Sequence, residues 1–251
     1  MSAKKTNYSY ISIAFILLVF GIIFVPKIIN RVKGGDIIRS ESRSKDVSSN
    51  AEGFVSDLMF LEINGTPKKV PPFSFVNQDG KTITNKEYNG KVYLVEFFFT
   101  TCGSICPRMN RNLVQIQNTF SDSKDFGVAS FTINPEYDTQ EVLKVYAENH
   151  EITNPNWHFM TGEQETIYDL ANIGFNIYAG ENQNVEDGFE HSGNFALIDK
   201  NGFIRSRKDN FQNPKIFYKG IVSEEEKVDD DGEIEEISML KEDIAKLLKE
   251  D

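Results

Sequence analysis

VYLVEFFFTTCGSICP, residues 92–107, is the stretch whose reading decides the fold. Val92 to Phe99 is a nearly continuous apolar run, interrupted only by Glu96, and so short a run of β-branched and aromatic residues suits a strand buried on both faces of a sheet. Beyond the cysteines, Met109, Leu113, Ile116 and Phe120 recur at helical spacing. Pro107 suits the first turn of that helix, where its missing N–H would have no partner anyway. Cys102 and Cys106 therefore fall where a buried strand gives way to a helix. In open α/β sheets, ligand sites gather at such carboxyl ends of strands.

Outward from this point the same alternation continues. Gly127 to Ile133 predicts a second buried strand, and Asp138 with Glu141 predicts a capping box that opens a helix through Val142, Leu143 and Tyr146. Trp157 to Met160 reads as a short strand, and Thr161 with Gln164 as the cap of a helix carrying Ile167, Leu170 and Ala171. Asn194–Asp199 and Phe203–Ser206 form a hairpin turned by Asp199-Lys200-Asn201-Gly202. A final helix buries Ile237, Leu240, Ile244 and Leu247. The order is that of an α/β domain.

Composition bounds the function. The chain has 251 residues, 39% hydrophobic, with 20 Phe and 9 Tyr, enough for one sizeable core. A net charge of −11 excludes a nucleic-acid binder, which needs a basic face. Nine acids and one Lys between Glu224 and Glu236 account for −8 of that charge. Such a run reads first as a solvated loop and second as an electrostatic docking face.

The N-terminus has the makings of a membrane anchor, residues 1–33. Its span, about 8–29, is apolar or small and uncharged up to Val25 and extended beyond Pro26 and Lys27 by Ile28 and Ile29, just long enough to cross a bilayer. No small-x-small cleavage site follows, so a retained anchor is expected rather than a removed signal peptide. Lysines and arginines flank the span on both sides and leave its orientation open. Residues 34–53, rich in Ser and charge, read as a flexible tether, and 54–251 as the globular domain with an acidic insertion at 224–236.

Two cysteines cannot staple a secreted mini-protein, and a bridge between them closes only a five-residue loop. Their value is chemical. A helix N-terminus favours thiolate, and three intervening residues let both sulfurs face one point. Such a pair can chelate a soft ion or form a disulfide, and an added imidazole would make a three-coordinate site for Cu(I) or Cu(II). Structural zinc would need four ligands. Thioredoxin-type redox dithiols have two intervening residues where this chain has three. Peroxidase chemistry is disfavoured, because Phe99 stands where a Thr-x-x-Cys motif needs Thr.

Four stretches in order carry a more specific likeness: Phe98 to Pro107, Ser130 to Thr139, Trp157 to Gly162, and Glu190-His191-Ser192. They resemble the F-x-x-x-C-x-x-x-C-P, D-P-E-x-D-T, W-x-x-L-T-G and D-H-S motifs of the Sco/SenC family, with Asn134, Met160 and Glu190 as departures that remove no ligand type. The resemblance implies a thioredoxin-like fold, a central mixed sheet flanked by helices, behind an N-terminal transmembrane helix. It implies a metal site of Cys102, Cys106 and His191 holding one copper ion, Cu(I) or Cu(II). It implies a copper chaperone for the dinuclear centre of cytochrome c oxidase, with oxidase subunit II or another copper acceptor as partner. It also implies a short cytoplasmic N-terminus, one span and a periplasmic domain, and an Arg-poor leader argues against a mitochondrial transit peptide and so for a bacterial inner membrane. The alternative is a membrane-tethered thiol-disulfide oxidoreductase using Cys102 and Cys106 as a redox dithiol. His150 at a helix end and His158 in a strand lie outside the motifs, and Asp138 reads as a helix cap or as a support behind the ligands.

Overall fold

The computed structural model describes residues 56–182, 188–209 and 213–250, together with Phe20. The expected span and tether fall outside this set apart from Phe20. Among the described residues, no helix is long and apolar enough to cross a membrane.

The strand predicted from Val92 is the spine of the molecule. It is β6 (Val92–Phe98), and all seven of its residues are buried, Glu96 included. The neighbouring β7 (Phe126–Thr132) is equally buried and runs parallel to it, followed by the parallel β8 (Trp157–Thr161). Parallel neighbours require crossovers, and helices supply them: α1 (Cys106–Thr119) between β6 and β7, and α2 (Gln140–Asn149) between β7 and β8. The hairpin pairs β11 (Asn194–Ile198) with β12 (Ile204–Ser206), and β11 lies antiparallel to β6.

The strands not foreseen are short: β1 (Met59–Phe60), β2 (Glu62–Ile63), β3 (Thr66–Pro67), β4 (Ser74–Asn77), β5 (Thr82–Thr84) and β13 (Tyr218–Lys219), with β9 (Ala179–Glu181) and β10 (Phe189–His191) forming a separate ribbon. The main sheet has the order β1-β12-β11-β6-β7-β8-β4-β5, with β13 added beside β11. This is the mixed sheet of a thioredoxin-like domain.

Helix α1 is fixed on several sides. Met109, Leu113 and Ile116 are fully buried. The Asn112 amide donates to the carbonyls of Gly220 (2.8 Å) and Ile221 (3.3 Å), and Gln117 Oε1 accepts from the backbone of Thr153 and Asn154, both at 3.0 Å. The last helix, α4 (Ile237–Lys249), buries the four expected apolar residues and also Asp243, which takes a two-pronged ion pair from Arg207. A buried charge needs such a partner. Arg205 serves the other end, holding Asp199 and Glu250 and donating to the carbonyl of Leu58.

Three expectations need correction. The cap of α2 is Thr139, whose side chain accepts from the Val142 N–H, whereas Asp138 is fully buried and points elsewhere. The cap of α3 (Gln164–Asp169) is Glu163 rather than Thr161, because a carboxylate next to the first turn reaches the N–H groups of both Glu165 and Thr166. The acidic run is no loose loop. Residues Val228 and Ile234 bridge it into a tight turn, and Glu224, Glu226, Glu233, Glu235 and Glu236 pair with Lys241, Arg108, Lys219, Lys227 and Lys215.

Candidate metal centre

The cysteines stand where the sequence places them. Cys102 follows the end of β6, and Cys106 is the first residue of α1 with Pro107 in its first turn. Both are buried and unbridged, Cys106 the more deeply. The N–H of Cys106, one of the free donors of the helix start, points at Cys102 Sγ from 3.4 Å.

That geometry makes the thiols unequal. The Cys106 thiol bonds to Cys102, and with help from His191 and the N–H groups of Cys106 and Ser104 it pulls the Cys102 pKa down to about 3. Burial pushes the Cys106 thiol up, as does the Cys102 thiolate beside it. Cys102 is therefore the thiolate of the pair, and Cys106 the protonated thiol until an ion or a base takes its proton.

His191 comes from elsewhere in the chain. It ends β10, pairs with Ala179 across the ribbon, and is buried. Its Nδ1 lies 3.3 Å from the Ser192 carbonyl, which can only accept, so that bond needs the proton on Nδ1. Nε2 is then the ring atom left to face a metal, and it lies 3.1 Å from Cys106 Sγ. The ring also packs edge-on against Phe99, which in turn touches Phe189.

One ligand atom from each of Cys102, Cys106 and His191 falls within 4.8 Å of the other two. A metal bonding sulfur at about 2.3 Å and imidazole nitrogen at about 2.0 Å sets trigonal donors roughly 3.7–4 Å apart, so the 3.1 Å Cys106–His191 pair would open and the wider spacing would close, each by less than about 1 Å. Two thiolates and one imidazole are soft to borderline donors and suit copper, and among the described residues they have no fourth ligand of the kind a structural zinc needs.

The other sequence candidates lie away from this point. His158, in β8, bonds to Asn77 of β4, and burial lowers its pKa, while His150 Nδ1 bonds back to the Tyr146 carbonyl. Asp138 proves to be a support. Its carboxylate accepts from the Thr100 N–H (3.0 Å) and from the hydroxyls of Thr100 and Thr132, tying the approach to Cys102 onto the end of β7. Burial raises the pKa of this carboxyl, and the hydroxyls partly offset it. The roles of Thr100, Thr132 and Phe99 were not foreseen, although the first two flank the predicted strand ends.

A mixed-sheet, thioredoxin-like domain that turns two cysteine sulfurs and one imidazole toward a single point defines a class: dithiol proteins of that fold carrying an added metal ligand. The family model described as SCO1/SenC matches residues 62–224, well over half of the chain. The chain belongs to the SCO1/SenC family. Most of the acidic segment and all of α4 lie beyond the matched region. An SCO1 protein homolog of Bacillus subtilis is 32% identical over 158 residues, which are 62% of this chain and 80% of that protein. The solved structure of an SCO1/SenC family lipoprotein from Bacillus anthracis aligns with a TM-score of 0.59 at 27% identity, covering 72% of this chain and 95% of its own. BsSco gives a TM-score of 0.59 at 26% identity, covering 77% and 97%. That protein is described as a member of the Sco family of cytochrome c oxidase assembly proteins with a disulfide switch.

Proposed function

We propose that this protein carries one copper ion on Cys102, Cys106 and His191 and delivers it during assembly of the dinuclear copper centre of cytochrome c oxidase. The observation that carries the reading is the convergence of those three ligand atoms within 4.8 Å. Membership of a family whose relative BsSco is described as an oxidase assembly protein supports an acceptor in cytochrome c oxidase, and its subunit II is the proposed partner. The N-terminal span, about 8–29, would tether the domain on the periplasmic face of a bacterial inner membrane.

The residues suit an ion that must leave again. Cys102 offers a ready thiolate, and Cys106 gives up its proton on binding. His191 contributes Nε2, whose direction is set by the Nδ1–H bond to Ser192. Three ligands leave an open side. An acceptor thiolate can enter there before a donor bond breaks, so transfer proceeds by ligand exchange.

The unequal thiols favour a second reading on the same atoms. The Cys102 thiolate can attack a partner disulfide and form a mixed disulfide, releasing one partner thiolate. Cys106, once deprotonated, then displaces the second partner sulfur. The partner gains two electrons and leaves as two thiolates, and one proton, that of Cys106, is given up here as the Cys102–Cys106 bridge forms. The disulfide switch described for BsSco supports this role.

Oxidase activity in a strain lacking the protein separates the two. Delivery predicts that the wild-type chain restores activity and that neither Cys102→Ser nor His191→Ala does. Full restoration by His191→Ala would leave thiol reduction as the function.

A further inference from the structure

We propose that Asn172 is a positioning residue for the histidine ligand, holding the ribbon that carries His191 at the distance its bond to the metal requires. The proposal rests on the copper-site reading above, and its test separates the two.

The ribbon of β9 and β10 pairs with no strand of the main sheet. Within it, Ser192 N–H donates to the Tyr178 carbonyl at 3.1 Å, while His191 stands opposite Ala179. In an antiparallel ladder the positions next to a hydrogen-bonded pair are narrow pairs, whose N–H and C=O groups turn outward. Ala179 is such a position, and its outward groups need partners because the residue is buried. One side chain supplies both. Asn172 Nδ2 donates to the Ala179 carbonyl at 2.8 Å, and Asn172 Oδ1 accepts from the Ala179 N–H at 3.2 Å. The amide thus stands in for a missing neighbouring strand, directly across the ladder from His191.

Asn172 is itself well anchored. It lies in a π-helical turn, Leu170–Phe175, that continues α3. Leu170, Ala171 and Phe175 of that turn are buried in the core, Phe175 against Phe97 of β6. π-helical turns shift side chains out of the α-helical register, and functional sites use them often. Here the shifted residue joins the core to the ribbon. Other contacts also reach the ribbon, the Gln164 amide on the Glu181 carboxylate at 3.1 Å and the Gly220 N–H on the Gly193 carbonyl at 2.7 Å, but neither holds Ala179, the residue opposite His191.

The test uses the whole chain carrying Asn172→Ala, beside the isosteric Asn172→Asp. Gln117→Ala, which strips buried partners from Thr153 and Asn154, serves as a control for general destabilisation. The first readout is metal-free: the ring nitrogen shifts of His191 by NMR. The second is Cu(II) affinity with the thiolate-to-copper charge-transfer spectrum. We expect both Asn172 variants to move the His191 signals and to weaken Cu(II) about tenfold or more, with spectra moving toward that of His191→Ala. Gln117→Ala should do neither. Unchanged His191 signals in folded Asn172→Asp, or an equal effect of Gln117→Ala, would overturn the positioning role. A wild-type chain that binds no copper overturns the copper reading instead, while the metal-free signals still decide the role of Asn172.

Discussion

The two cysteines and the histidine reach the same point by different constructions. The cysteines sit on the spine of the molecule, between a strand with every residue buried and a helix held by three buried apolar side chains and two buried amides. The histidine sits on a ribbon of two three-residue strands that no strand of the main sheet joins. A dithiol on a rigid frame keeps its geometry whether or not an ion is bound. A third ligand on a satellite can be placed or withdrawn by modest changes in a few contacts. That asymmetry suits the proposed cycle of holding copper and then releasing it.

The frame side of this comparison breaks most easily in the core. Phe97 is fully buried and packs against both Phe131 of β7 and Phe175 of the π-helical turn. Phe97→Ala is expected to cost about 3–5 kcal/mol in chemical denaturation. It should also loosen both arms of the site, since this ring touches the supports of each.

A somewhat smaller effect is expected from Glu96. It lies in β6, six residues before Cys102, fully buried, with Ser130 bonded to one oxygen and no partner for the other. Burial pushes its pKa up from 4.5 to about 7, against the opposing Ser130 bond. Between those values the native protein holds a proton that the unfolded chain has released, so stability falls as pH rises through that window. The loss amounts to roughly 3 kcal/mol. Denaturant midpoints of Glu96→Gln should lack this slope; a slope shared by both proteins would place its origin elsewhere.

The smallest effect belongs at the surface. Arg108 in the first turn of α1 pairs with Glu226 of the acidic turn at 3.1 Å, and both are substantially exposed. Arg108→Ala should cost less than about 1 kcal/mol. Thermal melts that show a loss of several kcal/mol would mean that the acidic turn braces the cysteine arm.

The same asymmetry explains what the sequence could show. The cysteine arm was legible because a strand buried on both faces is written as an unbroken apolar run, and a helix as a repeat of about four. The ribbon has neither signature: Ala179–Glu181 and Phe189–His191 are too short for any period, so His191 came only through the motif resemblance. Asp138 and Thr139 both fit the start of a helix, and spacing could not tell which would cap it. Packing decided, with Thr139 on the helix and Asp138 turned in to the threonines. Asn172 carried no signal, because its partner Ala179 is found by tertiary approach.

The central claim is that two arms meet around one copper ion. Anaerobic titration of the chain with Cu(I) and with Cu(II), beside Cys102→Ser and His191→Ala, tests it directly. One ion per wild-type chain is expected in both oxidation states, with Cys102→Ser losing both. His191→Ala should keep Cu(I) on its two thiolates but weaken Cu(II) about a hundredfold, close to 2.7 kcal/mol. Unchanged Cu(II) affinity in His191→Ala would contradict the account.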